Sequence, residues 1–134
     1  MYKNSPIASW RNQSSVYRLE GVCCTACGKL FFPRAYRCTC TNVDFIPHAF
    51  SGKATLLSCT RVNIPSMEFM ASVPYCIGFV KLVEGPIILA QLVDVTFESL
   101  AIGMAMQGVF RRFFAEGKEG LIFYGIKFAP EVLE

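Results

Sequence analysis

Charge is scarce in this sequence. Only 17% of its 134 residues are Asp, Glu, Lys or Arg, while 53% are hydrophobic, and a typical soluble domain carries about 25% charged residues. Twelve phenylalanines, five tyrosines and five methionines are more than so short a chain can hide inside itself. A partner surface is the natural cover for the remainder. Histidine occurs once, as His48 in the Ile46-Pro47-His48 junction, so the usual general base is nearly missing. No glycine-rich phosphate loop, HExxH or Gly-x-Ser-x-Gly pattern is found. Cys59 and Cys76 fall within predicted strands, where cysteine behaves as a small buried hydrophobe. The chain is therefore not expected to be catalytic alone. The longest apolar stretch, around Pro86 to Val93, is too short to span a bilayer, and the first residues hold no apolar run that would read as a signal peptide. A cytoplasmic chain is expected, in agreement with an odd number of cysteines kept reduced.

Cysteine is what the chain has in excess. Five of its seven cysteines lie between Tyr17 and Cys40. Cys24 and Cys27 form a Cys-x2-Cys pair followed by Gly28, and ten residues later Cys38 and Cys40 form a second pair. Two turn-borne pairs of thiolates are the donor set that tetrahedral Zn²⁺ takes, and four protein ligands leave no open position, so the metal would be structural. The second pair is one residue shorter than the usual Cys-x2-Cys-Gly, with Thr41 where glycine is expected. Cys23 stands beside Cys24 as a spare donor or a free thiol. Reduced core cysteines and disulfides remain the competing readings.

Net charge is +3, unevenly spread. Residues 1–40 hold Lys3, Arg11, Arg18, Lys29, Arg34 and Arg37 against Glu20 alone, whereas the remainder carries seven basic and nine acidic residues. Four thiolates on zinc would remove two of the five excess charges of the first part. Neither part is a strong nucleic-acid footprint. Arg34 and Arg37, beside the cysteine loop, are candidates to receive a phosphate or to contact a partner. Trp10, the one large apolar side chain in the middle of a polar arm, reads as a packing anchor or a partner anchor.

Along the chain, residues 1–16 read as a polar arm and Tyr17 to Glu20 as a short strand entering the ribbon. From Phe45 strand signals repeat: Ala49 to Val62 with a bulge at Gly52, Pro74 to Glu84, Pro86 to Val95, Met104 to Ala115 and Leu121 to Phe128. Tyr75, Ile77 and Phe79 on one face of the second strand, and Cys76, Val80 and Leu82 on the other, predict cover on both sides. Thr96 to Ile102 reads as a short helical turn, with Thr96 to cap it and Gly103 to stop it. Arg111 and Arg112 are adjacent in a strand and so are expected on opposite faces. Five strands with a helix between the third and fourth give the order of an OB barrel. The fold expected is mainly β: an N-terminal arm and zinc ribbon over residues 1–44, then a five-stranded OB-fold barrel over 45–134.

With those parts in place, the whole chain resembles the small acyl-CoA-associated proteins that join a rubredoxin-like zinc ribbon to an OB fold. The resemblance is carried by Tyr17-Arg18-Leu19-Glu20-Gly21, Cys24-Thr25-Ala26-Cys27-Gly28, Phe32-Pro33-Arg34, Pro74-Tyr75, Val80-Lys81-Leu82-Val83-Glu84-Gly85-Pro86, Leu100-Ala101-Ile102-Gly103-Met104 and Phe123-Tyr124-Gly125-Ile126-Lys127-Phe128-Ala129-Pro130. The short spacing between Cys38 and Cys40 departs from the pattern. Within the family the chain is most similar to the small subunits of bacterial acetyltransferases that make diacetylphloroglucinol, and its low charge and cysteine content look bacterial. The resemblance implies a noncatalytic scaffold in a hetero-oligomer, bridging a thiolase-like catalytic subunit and a second thiolase- or ketoacyl-synthase-like subunit. The acyl-transfer cysteine would lie on the partner, and contact with CoA is left open. It implies neither nucleic acid nor membrane. The alternative, a nucleic-acid-binding zinc ribbon plus OB module, lacks the basic groove that single strands require.

Overall fold

The computed structural model describes residues 5–132. Two short helices open it, α1 (Pro6–Arg11) and α2 (Gln13–Arg18). Pro6 stands in the first turn of α1, where its missing N–H is no loss. The second helix stops because Leu19 turns left-handed, at φ 52°, while its amide bonds back to the Ser14 carbonyl. That turn drops the Leu19 side chain into the barrel core. The expected polar arm is thus helical from Pro6 on, its residues 1–4 lying outside the described residues, and Tyr17 and Arg18 end a helix where a strand was predicted.

Strand β1 (Glu20–Cys24) is the centre of a small antiparallel sheet, between β2 (Leu30–Phe31) and β3 (Phe45–Ala49). Val22 faces Phe31 on one side and Pro47 on the other. Pro47 cannot donate to a ladder, but β3 is an edge strand and tolerates it. Residues 45–49, placed with the barrel on sequence grounds, therefore pair in the cysteine-bearing sheet. The next residue, Phe50, sends its amide to the Leu19 carbonyl (3.1 Å), and its ring joins Leu19 in the core.

Strands β4 (Lys53–Val62), β5 (Tyr75–Leu82), β6 (Ile87–Leu92), β7 (Ala105–Ala115) and β8 (Ile122–Pro130) close a barrel in the order β4-β5-β6-β8-β7, with β7 returning to β4. This is the OB-fold arrangement expected. A 3-10 turn, Phe97–Ser99, occupies the place of the predicted helix. The Thr96 hydroxyl bonds Ser99 Oγ rather than capping a backbone amide. Gly103, at φ 89°, follows it. Gly52, at φ 80°, lies in the turn before β4, and the bulges sit elsewhere, where the register slips at Leu56/Ser58 and at Arg112/Phe114.

Leu56, Val80, Leu82, Met106 and Phe128 fill the core. Along β5, Cys76, Gly78, Val80 and Leu82 point in while Phe79 and Lys81 are exposed, so within this chain the outer face lacks the cover that its apolar residues predict. Gly78 shows how tightly the inside is packed: a Cβ there would run into the Ser58 carbonyl oxygen and lie 3.1–3.2 Å from the Leu56 and Leu92 methyls. Backbone cannot move aside as a side chain can, so Gly78→Ala is expected to destabilise the barrel by about 2–3 kcal/mol. A denaturation midpoint unchanged from the parent would contradict this packing.

The β7–β8 hairpin outruns the barrel, since β7 meets β4 only over residues 105–107. Helix α2 packs on β8, and the 3-10 segment Met67–Ser72 packs on β7. Arg111 and Arg112 lie on this projecting part, and both are exposed. Arg111 pairs with Asp94 at 2.9 Å.

Candidate metal centre and partner surfaces

The two cysteine pairs converge from two knuckles. Cys24 ends β1, and the turn after it is closed by the Gly28 amide on the Cys24 carbonyl (2.9 Å). The second knuckle is closed by the Thr41 amide on the Cys38 carbonyl (3.0 Å). Gly28 has φ 72° and Thr41 φ 70°. Threonine therefore takes the left-handed backbone that glycine takes in the first knuckle, at a strain of about 1–2 kcal/mol, and the shorter Cys-x-Cys pair still turns its thiols inward.

The four Sγ atoms of Cys24, Cys27, Cys38 and Cys40 lie within 4.8 Å of one another. Cys24 and Cys40 are 3.6 Å apart, Cys27 and Cys38 3.4 Å. Sulfurs at about 2.3 Å from one tetrahedral ion stand roughly 3.8 Å apart, so the donor set fits Zn²⁺. Cys23 is not part of it. Neighbours in a strand face opposite ways, and the Cys23 thiol points at the Gly28 and Cys24 carbonyls, 3.5 and 3.7 Å away.

The protons of the cluster are unequally held. Cys24 is pulled down to about 6, chiefly by the Cys27 amide and then by Asn42, whose Nδ2 donates to its Sγ at 3.3 Å. Cys27 feels a lowering from the Lys29 amide, but its contact with the Cys38 sulfur and burial outweigh it and push the thiol up to about 12. Cys38 is lowered, first by the Cys40 amide. For Cys40 the Asn42 amide works downward, and the Cys38 contact and burial prevail upward. Asn42 also donates to Thr25 Oγ1 and to the Asp44 carbonyl, which fixes its amide against the cluster.

The other candidates separate. Cys76 is buried, and burial first, then Cys59, raises its thiol. It is a poor nucleophile in that setting. His48 is half-buried, edge-on to Phe50 at 4.9 Å, with Nε2 unpartnered. Nearby Glu84 accepts the Ser51 amide at 2.8 Å. Burial works against its charge, but the Ser51 hydrogen bonds win and lower its carboxyl. Lys127 is buried over the Phe113 ring (4.9 Å), and burial, then Arg111, lowers its ammonium. Among the described residues, none of these groups sets a base beside a nucleophile. Trp10 is 71% exposed on α1 and anchors no core. Arg34 lines a cavity that it shares with Arg11, and Arg37 is exposed outside it.

Two apolar surfaces went unassigned in the sequence. Across β4, β5 and β6, Leu57 (38% exposed), Phe79 (48%), Ile87 (53%) and Leu89 (61%) make one patch on the outer face. Phe79 stands directly opposite Leu89 and, on its other side, Ser58 next to Leu57. On the projecting hairpin, Phe110 stacks on Tyr124 at 5.4 Å, Tyr17 meets Phe110 edge-on, and Ile122 is half exposed. The first surface spans β4, β5 and β6, and the second lies on the part of β7 and β8 beyond their pairings with β4 and β6. The signal for the first was in the two apolar faces of β5, which predict cover on both sides.

Residues 48–111 match the family model for the ChsH2 C-terminal OB-fold domain. A DUF35 domain-containing scaffold protein of Methanothermobacter thermautotrophicus is 36% identical over 93% of this chain and 96% of its own. The chain belongs to the DUF35 scaffold proteins. Similar DUF35 scaffold proteins occur in Methanocaldococcus jannaschii, 36% identical over 92% of this chain and 89% of the relative, and in Pyrococcus furiosus, 38% identical over 90% and 89%. These three relatives are archaeal and lend no support to the bacterial expectation. A solved structure described as Ltp2-ChsH2(DUF35) aldolase shares the fold, with TM-score 0.73 at 24% identity over 98% of this chain and 99% of that one. No described helix of this DUF35 chain is long and apolar enough to cross a membrane.

Proposed function

We propose that this chain is the noncatalytic scaffold subunit of a cytoplasmic thiolase-like acyltransferase complex. The observation that carries the reading is the pair of exposed apolar surfaces, around Phe79 and Leu89 on the barrel and around Phe110 and Tyr124 on the projecting hairpin. A lone monomer rarely shows such patches, and two of them suit a bridge between a thiolase-like catalytic subunit and a second thiolase- or ketoacyl-synthase-like subunit. In this reading Cys24, Cys27, Cys38 and Cys40 hold a structural zinc, and exposed Trp10 is a further partner contact. The chemistry, acetyl transfer to a phloroglucinol-type acceptor, takes place on a partner's cysteine. The name of the structurally similar aldolase favours a second reading, in which the partner breaks or forms a carbon–carbon bond and the scaffold role is unchanged.

Reconstitution tests it. Omitting the chain from the co-expressed complex is expected to abolish acyl transfer. Cys59→Ala, Cys76→Ala and His48→Ala, each in an assembled complex, are expected to stay within a few-fold, whereas loss of a chemical group removes about 10²-fold or more. A large loss from any of the three would mean that this chain takes part in the chemistry.

A further inference from the structure

Two thiol contacts cross the cysteine cluster, Cys24 to Cys40 at 3.6 Å and Cys27 to Cys38 at 3.4 Å. Both run from one knuckle to the other, since Cys24 and Cys27 flank the first turn and Cys38 and Cys40 the second. Both also couple unlike partners. Cys27 and Cys40 are exposed, whereas Cys24 and Cys38 are buried. A bridge inside the second knuckle would join an exposed thiol to a buried one too, but it would have to span Thr39 alone, in a turn already fixed by the Thr41 amide on the Cys38 carbonyl. Disulfide geometry makes so short a span strained. No other thiol competes: Cys23 faces the Gly28 and Cys24 carbonyls, and Cys59 and Cys76 lie in β4 and β5 of the barrel.

We propose that this cluster is a site of reversible oxidation by hydroperoxides, at which Cys27 bridges to Cys38 and Cys40 to Cys24, so that two disulfides take over from the metal the joining of the knuckles. An exposed thiolate, Cys27 or Cys40, attacks the peroxide. The S–O bond forms, the O–O bond breaks and hydroxide leaves, which oxidises sulfur to a sulfenic acid and reduces the peroxide. The thiolate of the buried partner then attacks that sulfur; the S–S bond forms, the S–O bond breaks and a second hydroxide departs. Each hydroxide takes a proton from solvent, so one peroxide and two thiolates give one disulfide and two waters. Closing each pair to the disulfide length of about 2.05 Å asks only for small rotations of the side chains. An ion deprived of its thiolates is released. The bridged residues are 16 and 11 positions apart in sequence, so the bridges hold the two turns together when the ion has gone. Leu19 and Phe50 then keep their places in the barrel core. The exchange rests on the zinc proposed above for these cysteines, whereas the pairing of the sulfurs does not.

The test uses the full-length chain, its zinc content measured first. Hydrogen peroxide is added in the presence of a chromogenic zinc chelator, free thiols are alkylated under denaturing conditions, and the unreduced peptides are mapped by mass spectrometry. Expected are release of the bound zinc by about two equivalents of peroxide, peptides joined through Cys24–Cys40 and Cys27–Cys38, alkylated Cys23, Cys59 and Cys76, and return of the four thiols on treatment with dithiothreitol. The oxidised chain should melt within about 5 °C of the zinc-loaded chain and well above the reduced, metal-free one. Cys23→Ser should give the same map. Bridges within the knuckles, or to Cys23, would overturn the pairing. Sulfinic acid at Cys27 and Cys40 without disulfides would remove the resolving role of the buried thiols, and an oxidised chain that melts as low as the reduced, metal-free one would show that the bridges do not replace the ion. A chain that holds no zinc at the outset yet forms both bridges supports the oxidation site and defeats the zinc reading alone.

Discussion

Cys27→Ser is expected to lower bound zinc from about one ion per chain to a small fraction and to drop the melting temperature by at least about 10 °C, with loss of solubility. The sheet that carries the cluster has only three strands, one of them two residues long, and sheets so small need an ion or a disulfide to persist. The damage should spread. Leu19 and Phe50, paired at one end of the β1–β3 ladder, both end in the barrel core, so melting the ribbon opens the barrel as well. Acidification should reproduce the effect, because the ion requires thiolates and competes with protons. In the metal-free cluster Cys27 and Cys40 hold their protons tightly, and zinc displaces them on binding. Cys24, like Cys38, gives up its proton more readily than an ordinary thiol. Its thiol is depressed on folding, so the stability it confers is present above its ordinary value near 9 and is lost as pH falls through about 6. Zinc release to a chelator, followed by absorbance, should therefore steepen below about pH 6. Cys23→Ser should leave both metal and stability unchanged. A Cys27→Ser chain that keeps its zinc and its melting temperature would remove the metal centre from this account.

Much of this was legible from residue spacing. The four cysteines announce their pairing because each pair is held within one turn, and a turn needs little help from the rest of the fold. The barrel was legible for a related reason: the apolar runs of β5 and β6, the tight turn between them and the polar stretch between β7 and β8 are local signals, and five strands with a helical turn between the third and fourth give the order. What failed to show was set by contacts distant in sequence. The helices α1 and α2 have six residues each, bury nothing wholly, and offer no apolar period to read. Strand β3 carries Pro47 and reads as a poor strand, yet it pairs five residues with β1, because an edge position forgives proline. That Arg11 and Arg34 line one cavity depends on how two elements dock, and no spacing records it.

Phe79→Glu combined with Leu89→Glu is expected to abolish recruitment of one partner subunit, weakening it by at least about 100-fold, while the isolated chain becomes more soluble. The two side chains face each other across β5 and β6 and are half exposed or more, so charge placed there remains in water in the free chain. The core beneath, Val80 and Ile88, is untouched. Burying two carboxylates in an apolar contact is another matter. Without paired cations each is strongly resisted, and losses of 2–4 kcal/mol at central aromatic anchors already amount to about 30- to 1,000-fold. The hairpin surface supplies the control. Phe110→Glu lies on the part of β7 that projects beyond its pairing with β4, so it should spare the first partner and disturb the second. Size-exclusion chromatography of the co-expressed subunits, with melting temperature and zinc content of each variant, separates these outcomes. If both variants lose the same partner, the surfaces belong to one interface and the chain does not bridge. If the double variant keeps every partner at parental affinity, the apolar face of the barrel is not where the complex is held.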